Sequence, residues 1–281
     1  MIKPLYQNEA LLEENEKTKS KPFRFRIWWL GQSGFLLQWK GKHVLIDPYL
    51  SDSLTKKYAE TDKPHIRMSE RVIAPEKLDF IDVVTSSHNH TDHLDGETLI
   101  PLIEANPEIY MIIPEANRDF VAKRIEKDRD FPTGLNDGQS VTLKGITFHG
   151  IPAAHNELER DEKGQCLYMG YVIQFGSYSV YHSGDTLWRE KIVESLKPFN
   201  IDLAILPING NVPSRRVAGN LNAKEAVRLA KVVGAGMLIP CHYHMFSFNT
   251  VDPDEFILEA ERQKQSYKVL QLGACFQTSE F

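Results

Sequence analysis

Cysteine is scarce in this 281-residue chain: Cys166, Cys241 and Cys275 stand far apart and are odd in number. A disulfide framework is thereby excluded, and a reducing compartment, the cytoplasm, fits best. Long apolar runs are also missing. No window approaches the roughly 18 residues of a membrane-spanning helix, and Met1–Arg26 holds no apolar signal core, so integral membrane association is not expected. Nor is there an excess of basic charge. Thirty-three Lys and Arg face 38 Asp and Glu, a net charge of −5, which argues against coating of nucleic acid or an anionic membrane. No repeat and no Pro- or Ser-rich linker divides the chain. What is present, 42% hydrophobic and 25% charged residues, suits a globular protein with a sizeable core and leaves room for a homo-oligomer.

Residues 1–22 read as a polar N-terminal extension, a solvated helix or frayed segment, and residues 23–281 as a single domain beginning near Phe23. The runs FRFRIWWL, GFLLQW and HVLIDPYL, broken by Gly-containing turns, predict a meander of antiparallel strands. FIDVVTSSH predicts a buried strand, ETLIPLIEANP a helix and IYMIIP a strand. EANRDFVAKRIEK then predicts a helix with Ala116, Phe120, Val121 and Ile125 on its apolar face. A second β-rich block, SVTLKGITFHGIPAA, LYMGYVIQFG and SYSVYHSGD, precedes alternating elements: IDLAILPI, GMLIPCH and YKVLQLG as strands, NAKEAVRLAKVVG and DPDEFILEAERQKQ as helices. Two halves of strands followed by helices suggest two sheets packed face to face with helices outside.

The chemistry concentrates in SSHNHTDHLD, residues Ser86–Asp95. His88 and His90 alternate at the end of a strand and point the same way, so they can chelate one ion. Asp92 and His93, where a turn enters the helix, can face a second. Imidazole and carboxylate suit Zn²⁺, Mn²⁺ or Fe²⁺. Other ligand types recur just past strands: His155 in IPAAHN, Asp185 in HSGDT, His242 in LIPCH. The seven divide into His88, His90 and His155 on one metal and Asp92, His93 and His242 on the other. Asp185 is shared by two ions about 3.5–4 Å apart. His149, six residues before His155 and so about 20 Å away in an extended chain, is excluded. Cys241 points to the opposite strand face from His242 and reads as buried packing.

With Asp47, these motifs resemble the metallo-β-lactamase superfamily, in order Asp47, His88/His90/Asp92/His93, His155, Asp185 and His242. The resemblance implies an α/β fold, a four-layered αββα sandwich with a dinuclear site on one edge. More narrowly, WWLGQSG, SSHNHTDHLD, VYHSGDT and IPCHYHMF resemble the L-ascorbate-6-phosphate lactonases and the N-acyl-phosphatidylethanolamine phospholipase D group. Asp47 and His182 read as groups that orient ligands from behind. A metal-held hydroxide would attack a lactone carbonyl, with Asp92 orienting it and shuttling its proton; phosphodiester cleavage is the runner-up. The substrate is expected to be a small sugar-phosphate-like anion, met by Arg215, Arg216 and Asn209 in the loop after Leu206, with His244 and Arg67 as further candidates. A catalytically silent metal-binding sensor is the reading from another class, and the complete ligand set argues against it.

Overall fold

The computed structural model describes residues 1–17 and 24–278. Among them the strands run in chain order as β1 Phe25–Gly31, β2 Gly34–Trp39, β3 Lys42–Ile46, β4 Val83–Thr85, β5 Tyr110–Pro114 and β6 Thr133–Leu135. The second half holds β7 Ser140–Leu143, β8 Ile146–Pro152, β9 Met169–Phe175, β10 Tyr178–His182, β11 Leu203–Pro207, β12 Met237–Cys241 and β13 Cys275–Gln277. They build a seven-stranded sheet in the order β13-β1-β2-β3-β4-β5-β6 and a six-stranded sheet in the order β12-β11-β10-β9-β8-β7. Each half begins antiparallel, as the turn-rich runs predict, and becomes parallel at β3–β4 in the first sheet and at β10–β11 in the second.

The helices are α1 Glu9–Glu16, α2 Ser53–Lys57, α3 Gly96–Ala105, α4 Arg118–Arg124, α5 Glu190–Leu196, α6 Ala223–Val232 and α7 Asp254–Gln263. A capping box in which Asn222 accepts from the Glu225 amide and Glu225 accepts from the Asn222 amide starts α6. That helix packs on β11 and β12, α7 packs on α6, α4 lies against β5 and α5 against β8. The result is the expected sandwich. No helix of the described residues is long and apolar enough to cross a membrane.

Rings lock the two sheets together. Phe25 meets Phe175 and Tyr178 edge-on at 5.3 and 5.1 Å, and Trp39 meets Phe175 at 5.5 Å. Each ring buried in this seam stabilises the fold by about 1.5–3 kcal/mol. On the opposite face of the first sheet, Gln38 and His43 are hydrogen-bonding partners of Asn15 in α1, whose Leu11 is fully buried. The start of the chain is therefore not a solvated extension: Ile2 pairs with Ser69 and the Leu5 amide bonds to Leu272. Its apolar residues are few, but they find a complementary face. The boundary expected near Phe23 lies outside the described residues.

Two further expectations change. In α4, Phe120 is 44% exposed and lies under the Arg124 guanidinium at 4.4 Å, while Ala122 is turned inward with Val121. YKVLQLG forms no ladder; Tyr267 makes a single bridge to Leu238, and Leu270 and Leu272 are buried as packing. The final strand is β13, which crosses to β1 in the first sheet. An apolar run signals burial, whereas pairing depends on which edge is free.

The ends of β4 and β10 approach closely at Gly184, whose φ is +60°. A Cβ there would lie 2.6 Å from Ser87 Cβ and 2.8 Å from the Met169 carbonyl. Gly184→Ala should therefore combine left-handed strain with overpacking and destabilise the protein by about 2–3 kcal/mol, a fall in Tm of roughly 5–10 °C. Thermal unfolding measured by circular dichroism checks this, and an unchanged Tm would contradict the close approach.

Candidate metal centre

The ligand candidates leave the carboxyl ends of strands that run the same way: His88 to His93 after β4, His155 after β8, Asp185 after β10 and His242 after β12. In open α/β sheets this edge is where ligands bind. His88, His90 and His155 come together in one group and Asp92, His93, Asp185 and His242 in another, each group with ligand atoms within 4.8 Å of one another. Asp185 stands between the groups. Its Oδ2 is 3.2 Å from His242 Nε2 and 3.6 Å from His155 Nε2, and its Oδ1 is 3.3 Å from His93 Nε2.

Hydrogen bonds on the far side of each ring decide which nitrogen faces the centre. His155 Nδ1 donates to the Gly219 carbonyl at 2.9 Å, and His93 Nδ1 pairs with Asp47 Oδ2 at 2.7 Å. Ser87 Oγ donates to Asp47, so the contact of 3.0 Å with His88 Nδ1 runs from the imidazole to the hydroxyl. The Nε2 atoms of His88, His93 and His155 are thereby aimed inward. Asp47 is fully buried and also accepts from the Ser87 amide, as expected of an orienting group. His182 makes no hydrogen bond to a ligand side chain: its Nε2 donates to the Ser33 carbonyl at 2.9 Å and its Nδ1 accepts from the Gly184 amide beside Asp185.

His88 Nε2, His93 Nε2 and Asp185 Oδ1 are buried and have no hydrogen-bond partner. Each such atom costs about 1–3 kcal/mol unless something satisfies it. A divalent cation does so, and a donor set of imidazole nitrogens and carboxylate oxygens without thiolate suits Zn²⁺, Mn²⁺ or Fe²⁺. The residues present thus fit a metal in each group. Electrostatics agree. Burial, followed by the His155 charge, lowers His90 to about 4, and burial with neighbouring His93 and His90 holds His88 well below the usual imidazole value. In the other group burial opposes charge, yet His93 and His242 keep Asp92 ionised, and His242 and His93 keep Asp185 ionised. Against burial, Asp185 and Asp92 raise His242 to about 9.

The Beta-lactamase superfamily domain matches residues 26–242 of the chain. A UPF0173 metal-dependent hydrolase of Methanosarcina mazei is 31% identical over 238 residues, covering 82% of this chain and 88% of the relative. The chain belongs to the UPF0173 metal-dependent hydrolases of the metallo-β-lactamase superfamily. Solved structures share the fold. A possible metal-dependent hydrolase from Veillonella parvula superposes with TM-score 0.72 at 16% identity over 89% of this chain and 98% of that one. For a metallo-hydrolase of Ignicoccus hospitalis the values are 0.64 and 22%, over 90% and 98%.

In this UPF0173 hydrolase a cavity of about 330 Å³ opens over the ligands, at the small end of the range of ligand pockets. The residues expected to meet an anion do not line it. Arg215 donates to the Asn209 and Thr250 carbonyls and to Asn249, holding two loops together; Asn209 is buried against Asn220 and Asn249. Arg216 pairs with Asp62, His244 with Asp252, and Arg67 donates to the Ser69 and Ser51 carbonyls and reaches Asp52. The loop after Leu206 reaches the cavity through Val217 and Ala218 instead. The cations on its walls are Lys57, Lys63 and Arg124. Cys241 is buried 3.9 Å from Ser33 Oγ, as packing, and His149 bonds to Gln174 away from the centre.

Sequence reading missed Gln32. It lines the cavity and donates to Asp92 Oδ2 at 2.8 Å. Its backbone, at φ +50°, is clamped where the Trp29 indole and the His242 amide both donate to its carbonyl at 3.0 Å. The only available signal was its place in GQSG, in the motif WWLGQSG. Replacing it by Met keeps its bulk and removes the donor. Gln32→Met should weaken the metal held with Asp92 about 10- to 100-fold, read by titration with Co²⁺ and its visible absorption; an unaltered titration would leave Gln32 as filler.

The pH dependence of metal binding follows from His242. Its folded value of about 9 exceeds the ordinary 6.5, so in metal-stripped protein this proton stabilises the fold fully below about 6.5 and the contribution is lost as pH rises through 9. Metal must displace that proton. Asp185 and Asp92 also hold His93 well above the ordinary value, against burial, so apparent affinity should rise at least tenfold per pH unit from 6.5 towards 9, as measured by competition with a chelator; a flat profile would show both imidazoles already neutral in the free protein.

Proposed function

We propose that this hydrolase holds two divalent ions, Zn²⁺ or Mn²⁺ with Fe²⁺ also compatible, and opens a lactone in a small anionic substrate. The observation that carries the reading is Asp185, whose two oxygens face both ligand groups at 3.2–3.6 Å. When bound, such ions supply Lewis acidity and a water acidified toward neutral pH. His88, His90 and His155 would hold one, Asp92, His93 and His242 the other, with Asp185 serving both.

Asp92 is the most exposed member of its group at the cavity, its side chain 15% exposed against 3% for Asp185 and His242. Kept ionised by His93 and His242, it can orient a water and accept its proton. Gln32 holds that carboxylate in place. Lys57, Lys63 and Arg124 supply positive charge for an anionic substrate. Cys166, Cys241 and Cys275 are all free, which supports a reducing, cytoplasmic setting.

Phosphodiester cleavage, as in the N-acyl-phosphatidylethanolamine phospholipase D group, would use the same side chains, so the assay must offer both. Metal-loaded protein should hydrolyse members of a panel of anionic lactones faster than phosphodiesters, lose the activity to a chelator and regain it with metal. Asp92→Asn should lower kcat about 100-fold or more while retaining metal on the three-histidine group. Turnover of phosphodiesters alone would reassign the reaction, and no turnover of either would favour a metal-binding sensor.

A further inference from the structure

The cavity walls are unlike what a polyhydroxylated sugar requires. One side is built of rings. Tyr58 and His65 stack at 4.4 Å with planes 29° apart, Phe246 meets His65 edge-on at 5.2 Å, and Phe248 lies tilted against His65 at 5.2 Å. Leu54 and Val217 extend this apolar surface. Of the neutral polar side chains, Gln32 is engaged by Asp92, and the Asn249 amide oxygen accepts from both Asn209 and Arg215. Asn89, Thr91, the Tyr58 hydroxyl and the Asn249 amide nitrogen are left. A sugar's hydroxyls would find few partners, and each unpaired polar group costs free energy on binding.

The same segment that supplies two of the rings supplies two cations. Lys57 Nζ lies 5.1 Å from the Tyr58 ring centroid, and Lys63 Nζ donates to the Arg216 carbonyl. Among the described residues neither has a carboxylate within ion-pair distance. Among the described residues the only carboxylates on the cavity walls are Asp92 and Asp185. The wall is also held rigid. Ser247 donates to the Ile66 carbonyl and Met68 to the Met245 carbonyl, both at 2.8 Å, tying the ring-bearing segment to the loop after β12. Rings fixed before binding lower the ordering cost of a planar ligand.

Resting on the hydrolase reading above, we propose that the substrate is an aryl-bearing organic anion. Its flat apolar body lies on Tyr58, His65, Phe246 and Phe248, and its anionic end is met by Lys57 and Lys63. The chemistry selects against the sugar-phosphate class.

Binding without turnover tests this in metal-loaded protein by calorimetry, using 4-phenylbutanoate, its neutral amide and 6-phosphogluconate. The aryl acid should bind about tenfold or more tightly than either comparison. The double variant His65→Ala/Phe248→Ala should weaken it about tenfold with metal content unchanged. In Lys57→Gln/Lys63→Gln the preference for the acid over the amide should vanish. A preference that survives there would put the carboxylate on Arg124 or the metals and overturn the assignment, as would 6-phosphogluconate binding as tightly as the aryl acid, or ring variants without effect. Because no turnover is read, ring-dependent binding together with absent hydrolysis would refute the hydrolase reading and support this one.

Discussion

His88 Nε2, His93 Nε2 and Asp185 Oδ1 converge in the interior without a hydrogen-bond partner, and satisfying them is the constraint on which the rest of this architecture depends. The protein surrounds these atoms with groups that fix the rings of His88, His93 and His155 but leave the inward nitrogen free. Asp47 engages His93, Ser87 engages His88 and the Gly219 carbonyl engages His155. A polar cluster held so firmly, and left incomplete only towards its own centre, is arranged for cations rather than for its own stability.

Placing those groups requires close backbone approach and unusual conformations at one edge. Gln32, Asp47 and His242 all have positive φ without being glycine, at +50°, +41° and +63°. Strain of this kind persists where surrounding structure over-determines it. Here the surroundings are visible: the Trp29 indole and the His242 amide grip the Gln32 carbonyl, and the Asp47 amide donates to the Thr85 carbonyl. The apolar seam between the sheets, with Trp29 stacked on Tyr243 at 4.7 Å beside His242, supplies the rigidity.

Metal ligation and cavity lining are divided between different parts of the chain. Ligands come from strand ends within the sandwich, which is shared with structures of low sequence identity. The wall facing them comes from the segment around Lys57–His65 and the loop holding Phe246 and Phe248, joined by backbone hydrogen bonds. The chemistry and the choice of substrate can therefore vary independently, since changing a ring on the wall leaves the strand ends in place.

The sequence by itself determined the sandwich, the seven ligand candidates and a place for Asp47 behind them. The reason is locality: alternation marks strands, and ligands sit within a residue or a few of strand ends, so their convergence follows from the strands assembling into one edge. What only the tertiary structure decided depends on partners far apart in the chain. Arg215 and Arg67 look like anion receptors as sequence, but loop carbonyls more than a dozen residues away consume their donors. Gln32 reaches Asp92 sixty positions away. Leu11 and Asn15 look solvated until a sheet face covers them, and the last strand, β13, crosses to join β1 in the first sheet. Spacing reports what one element can present, whereas burial and the satisfaction of donors are properties of the packed whole.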